Sequence, residues 1–338
     1  MNLCQQTIMY GKNMDRDITF DLMKGVAIIA MLCGHCIIPQ TLHHFIYMWH
    51  MPLFFIVSGY FYRTKPFEDF WHGTYRSLLV PYAFTCFVAF ILAFVLNLEN
   101  YQKIIYGTFG ISSAWFGSNA VVGYGGNGPL WFLMALFWCR FIYDTLQRFI
   151  SNKYLFFWGG VAGISILGAF IGNKYYIPFY LAHGMIATIF YYVGHLSHKY
   201  SINKLSFKHW HLLLLGAFII AGMKVGEPYF FALYFPNFII NTFAAISTTG
   251  AIYFISRKLK NTQTLCFLSN VGRLSLLLLC IHGIDYILKG TNTFVYTLCS
   301  LNGRVANLIY DIMLIAMPVI ATFIFARVVF VRKIFNIK

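Results

Sequence analysis

Long apolar runs separated by short polar stretches organise this chain. Ten such runs can be drawn, over residues 20–38, 45–62, 78–96, 129–146, 155–172, 178–196, 210–223, 234–256, 266–288 and 306–330. Most reach the roughly 17–25 residues that an α-helix needs to cross a bilayer. The pattern predicts an all-α integral membrane protein of about ten transmembrane helices. The seventh run is short, and the stretch from Lys224 to Pro236 after it is the hardest to assign, so nine or eleven spans are open alternatives.

The basic residues give this topology a direction. With the N-terminus inside, the inside loops and tails carry eighteen of the 25 Lys and Arg residues, the outside loops five, and the runs themselves Lys24 and Arg273. Such an excess marks the cytoplasmic side. Both termini are therefore expected in the cytoplasm. The chain divides into a cytoplasmic segment 1–19, one transmembrane domain 20–332 and a tail 333–338. The first apolar run is too long for a signal-peptide core and lacks a small-residue cleavage pattern, so it is read as the first span itself.

Composition agrees with this reading. Hydrophobic residues make up 59% of the chain and charged ones 10%, against about 25% charged in soluble proteins. The formal charge of +15 follows from the loop basic residues and calls for no nucleic acid. Most of the eight cysteines (4, 33, 36, 86, 139, 266, 280 and 299) sit within apolar runs without framework spacing. They read as small buried hydrophobes rather than disulfides.

Against this apolar background the first run stands out, because it holds Asp21, Lys24 and His35. A charged or strongly polar group in hydrocarbon needs a partner or a water-filled cavity. Lys24 and His35 are close to three full turns apart, about 16 Å along the axis, and share a helix face. Asp21 lies within about 40° of His35 on the same wheel. Three costly groups facing one interior point to a site. The alternative is structural: Lys24 snorkels to the headgroups, Asp21 pairs with it, and His35 makes a hydrogen bond inside the bundle.

Other motifs weigh less. His35, His43, His44, His50, His183 and His282 all fall in the outer half, but no H-x-x-x-H spacing joins them, so no metal is expected. Cys33-Gly-His-Cys36 has the form of a redox dithiol. That motif works at a helix start in a soluble α/β fold, not deep in an apolar helix. Gly123-Tyr-Gly-Gly-Asn-Gly128 fits G-x-G-x-x-G, but a membrane helix follows it rather than a βαβ unit, so it reads as a flexible turn. The loop 97–128, poor in charge, could form a flap over the site. Trp131 is either an interfacial anchor or a stacking surface for a sugar. Arg76 is either a topology signal or an anion contact.

Several blocks together carry a resemblance. Asp21-Leu-Met-Lys-Gly-Val-Ala-Ile…Gly34-His35 resembles the first helix of the membrane acyltransferase-3 family. The likeness continues in His50-Met-Pro-Leu-Phe-Phe-Ile-Val-Ser-Gly-Tyr60, Arg76-Ser-Leu-Leu-Val-Pro-Tyr82, Pro129-Leu-Trp-Phe-Leu133 and Gly272-Arg-Leu-Ser…Ile281-His282, in family order. The branch it is most similar to is that of fucose 4-O-acetylases and the polysaccharide-adhesin membrane protein. The resemblance implies a ten-helix bundle in a bacterial inner membrane that moves an acyl group, expected to be acetyl, from acyl-CoA to a carbohydrate hydroxyl. His35 matches the family's expected catalytic histidine. Lys24 stands where an arginine is usual, and Gly73-Thr-Tyr-Arg76 keeps only the second arginine of Arg-x-x-Arg.

Chemistry then assigns roles. A sugar hydroxyl attacks a thioester only after a base takes its proton, and histidine suits that task. His35 is the expected base, with His50 and His282 as further candidates and Asp21 holding Lys24. Lys24 and Arg76 are expected to grip the phosphates of acetyl-CoA, Trp131 to meet the sugar, and Ser58 to be a candidate for a covalent acyl intermediate. Two rival classes remain: a glycan exporter or flippase, and a membrane domain that binds ligand without turnover.

Overall fold

The structure, a computed structural model, describes residues 17–96, 108, 128–150, 154–172, 174–175, 177–202, 209–259, 265–298 and 303–337. The segment 1–16, almost all of the loop 97–128 and the glycine turn before Gly128 lie outside the described residues.

Each of the ten apolar runs holds a helix. They are α1 (Ile18–Gly34), α2 (Gln40–Tyr60), α3 (Phe67–Thr74), α4 (Val80–Val95), α5 (Trp131–Ile150), α6 (Tyr154–Gly172), α7 (Leu181–Lys199), α8 (His209–Val225), α9 (Phe238–Leu259), α10 (Cys266–Arg273), α11 (Ser275–Leu288), α12 (Gly303–Phe325) and the short α13 (Val329–Ile334). The third run begins earlier than its hydropathy suggests, because α3 runs through a π-turn, Tyr75–Leu79, into α4. The ninth run is broken. α10 and α11 meet at Leu274 with a bend of 72°. Among the described residues three helices are long and apolar enough to cross a membrane: Phe67–Val95, Phe238–Leu259 and Gly303–Phe325, with the bent pair as a fourth if it crosses as one. Among the described residues the sole β-feature is an isolated antiparallel bridge between Tyr229 and Tyr234.

The outside of the bundle carries large apolar side chains. Phe94 is 65% exposed, Leu213 75% and Phe149 82%. Such a surface suits lipid rather than water. The inward face of α9 is mostly small or polar instead. On α9, Ala244, Ala245, Ser247, Thr248 and Thr249 are all buried, and Thr248 and Thr249 return their hydroxyls to carbonyls one turn back. This is the composition that lets membrane helices approach closely.

Two such approaches frame the site. A methyl group on Gly25 would overlap the Leu268 carbonyl, and one on Gly272 the Asp21 carbonyl. Glycine therefore lets α1 and α10 touch backbone to backbone. Gly59 and Gly194 do the same for α2 and α7, against Tyr191 and Ile56. The bend at Leu274 lets α10 lie on α1 while α11 turns to carry His282 towards the other end of α1.

Candidate functional site: a histidine-lined cavity

Helix α1 stops at Gly34, and His35 sits on its C-terminal cap. The turn beyond is tied to α12, where the Asp311 carboxylate accepts from the Ile37 amide at 2.9 Å. That anchor fixes where His35 projects. It lines a cavity of about 610 Å³ together with His43, His50, Tyr47, Trp131 and Tyr286. This lies within the usual size of a small-molecule site, about 300–1,000 Å³.

Each wall has a local cause. α2 opposes α1 and presents Gln40, His43, Tyr47 and His50 from successive turns. His50 donates Nδ1–H to the Ile46 carbonyl at 2.8 Å. The neutral ring therefore keeps a lone pair on Nε2. Pro52 follows inside the same helix and cannot donate to Met48, loosening the backbone beside the site. Gly128, with φ +48, turns the chain into α5 close to the Tyr286 ring. Trp131 follows at the start of α5 and stacks on Phe230, centroids 5.7 Å apart. The roof is the hairpin between α8 and α9. Its Tyr229–Tyr234 bridge closes it, and His183 Nε2 donates to the Phe231 carbonyl at 2.8 Å, pinning it to α7.

His282 lies behind His35, with ring centroids 5.2 Å apart. It is fully buried, and neither ring nitrogen has a hydrogen-bond partner among the described residues. A buried polar group left unmade costs about 1–3 kcal/mol. This stack of imidazoles is polar matter held without full satisfaction in an apolar bundle.

The sequence-predicted residues thus fall into two groups. His35, His50 and Trp131 line one cavity, with His282 against it. Asp21, Lys24, Arg76 and Ser58 do not line it. Lys24 bonds Asp21 at 2.8 Å one turn along α1, so Asp21 holds Lys24. Ser58 lies near the far end of α2, beside the Tyr191 hydroxyl that Arg140 also approaches. Arg76 opens into a separate cleft of about 500 Å³ with His72 and Lys333, continued by Arg332. The sequence reading missed Glu227, whose carboxylate bonds His43 and Gln40 at the cavity mouth, and it missed Tyr47 and Tyr229.

Cys33 and Cys36 are free thiols, and Cys36 donates to the Leu32 and Asp311 carbonyls. Among the described residues no group of three or more His, Cys, Asp or Glu is arranged to hold a metal ion.

Comparison with known proteins fits this architecture. The family model described as "Acyltransferase domain" matches residues 17–327, and the chain belongs to that family of membrane acyltransferases. The Nodulation protein NolL of Sinorhizobium fredii (strain NBRC 101917 / NGR234) is 44% identical over 57 residues, covering 14% of this chain and 16% of that protein. The likeness thus spans about a sixth of that relative. No solved structure matches the chain.

Proposed function

We propose that this protein is a membrane O-acyltransferase that moves an acetyl group from acetyl-CoA to a hydroxyl of a cell-surface carbohydrate or its lipid-linked precursor. The observation that carries this reading is the aromatic cavity in which His35, His43 and His50 meet, in a chain of an acyltransferase family. In this reading the chain spans a bacterial inner membrane about ten times with both termini cytoplasmic. It belongs with the branch similar to fucose 4-O-acetylases.

His35 takes the proton of the acceptor hydroxyl as the oxygen bonds the thioester carbonyl carbon. The C–S bond then breaks and CoA leaves as the thiolate, to which the proton returns. His50, with its free Nε2, and His282 behind His35 are the further groups able to carry a proton or steady the oxyanion. Trp131 offers a flat apolar face to a sugar ring. The phosphates of CoA lie at the far end, on Arg76 and the neighbouring Arg332 and Lys333, with Lys24 held by Asp21 along the way. A guanidinium grips phosphate in two places at once, which suits Arg76 to that role. Ser58 lies towards that end too, so direct transfer is preferred over an acyl-serine.

The test is transfer of label from acetyl-CoA into envelope carbohydrate by membranes containing the protein or its His35→Ala variant at equal expression. Label that vanishes with His35 supports the reading. Equal label from both removes His35 as base. A wild-type protein that moves glycan across vesicles without consuming acetyl-CoA is an exporter, and one that binds without turnover is a sensing domain.

A further inference from the structure

Glu227 bonds Gln40 and His43, two side chains that line the cavity. Its side chain is only 9% exposed, and among the described residues no Lys or Arg bridges it. Its partners are three hydrogen-bond donors. It accepts from Gln40 Nε2, from His43 Nδ1 and from the Tyr229 hydroxyl. Partial burial and then Glu227 itself raise the Tyr229 hydroxyl above its ordinary value, so it stays protonated and able to donate.

This arrangement holds three side chains at once. An ionised carboxylate is an acceptor only. Gln40, giving its amide N–H to Glu227, keeps its carbonyl oxygen for a ligand. His43, giving Nδ1–H, keeps Nε2 for a ligand. Tyr229, giving its proton to Glu227 and accepting from Gln40, keeps one lone pair. All three side chains line the cavity. The His43 ring stacks on Tyr47, centroids 4.0 Å apart and 21° from parallel, and Tyr47 in turn packs beside Tyr229 at 5.7 Å. Polar atoms therefore gather beside aromatic faces.

We propose that Glu227 is a specificity-determining positioning residue: it holds Gln40, His43 and Tyr229 so that their remaining polar atoms form a set that receives the hydroxyls of a pyranose ring. This rests on the acyl-transfer reading and names the acceptor subsite within it. A ring with neighbouring free hydroxyls satisfies the set. A ring whose hydroxyl already carries an ester cannot donate there and loses that hydrogen bond. The subsite thereby also favours release of the acetylated product.

The experiment uses the full-length protein in detergent and envelope glycan stripped of its esters by mild alkali. Binding of this glycan is measured for wild type, Glu227→Gln and Glu227→Asp, alongside transfer of label from acetyl-CoA. The expected result is at least tenfold weaker glycan binding by Glu227→Gln, partial recovery in Glu227→Asp, an unchanged KM for acetyl-CoA and an unchanged melting temperature. The native, still esterified glycan should bind the wild type at least tenfold more weakly than the stripped one. Equal binding by wild type and Glu227→Gln overturns the proposal, as does no binding of stripped glycan to the wild type. A fall in kcat with glycan binding intact also overturns it, because Glu227 then serves the chemistry. Wild-type protein that binds the glycan in a Glu227-dependent way but transfers no label leaves this subsite standing and removes the acyl-transfer reading instead.

Discussion

At one end of the bundle, histidines and aromatic rings surround a roofed cavity; at the other, Arg76 faces Arg332 and Lys333 around a surface cleft. The first region is rich in neutral groups that exchange protons and in flat apolar faces. The second is rich in fixed positive charge. In the proposed reading, the second region takes the polyanionic head of the thioester and the first its reactive tail. The contrast teaches that binding energy and chemistry can be housed at opposite ends, joined by helices that pack through glycine.

Substitutions can break this comparison, and the largest effect belongs to neither end. Gly194→Val places side-chain atoms into the backbone of α2 at Ile56 and Tyr60. Overpacking against backbone cannot relax by a rotamer change. We expect loss of monodisperse protein on size exclusion in detergent; a normal yield and elution would show that α2 and α7 can separate. Next comes the cavity end. His35→Ala should lower kcat for acetyl transfer by about 10²–10⁴-fold while leaving the KM for acetyl-CoA unchanged. If that KM rises instead, the two ends are not separate.

The basic end should give the opposite signature. Arg76→Ala combined with Lys333→Ala should raise the KM for acetyl-CoA about tenfold, as expected for losing a charge-assisted hydrogen bond worth roughly 1.5–3 kcal/mol. Its kcat should hold, and dephospho-CoA thioesters should discriminate less between variant and wild type. The smallest effect is expected at Trp131→Leu. Losing an aromatic face, worth about 0.5–1.5 kcal/mol, should weaken glycan binding a few-fold in a titration. A hundredfold loss would mean that Trp131 supports the roof through Phe230 rather than meeting a ligand.

The helices were legible because lipid demands long apolar runs whatever their partners are. The position of His35 was legible for the same reason: an ionisable residue in such a run stands out. The break at Leu274 was not, since no proline marks it and hydropathy runs on through both pieces. Glu227 escaped because its meaning is tertiary. It lies 184 residues from His43, in the stretch where the apolar pattern is weakest, and in sequence it reads as an ordinary loop charge. Arg76 was visible as a cation, but the pairing of its cleft with Arg332 and Lys333 depends on α13 folding back along α4. There Phe84 packs against Phe330 and Phe335.

The hairpin over the cavity has a consequence for how such proteins diversify. It is a short connection, pinned at Phe231 by His183 and closed by one backbone bridge, and it brings Tyr229 and Phe230 to the cavity with Glu227 behind Gln40 and His43. In the proposed reading, exchanging this one segment alters what the cavity recognises and leaves the glycine contacts, His35, His50 and the cationic cleft in place. Taste for a new acceptor can thus be acquired as a cassette, without re-solving the fold.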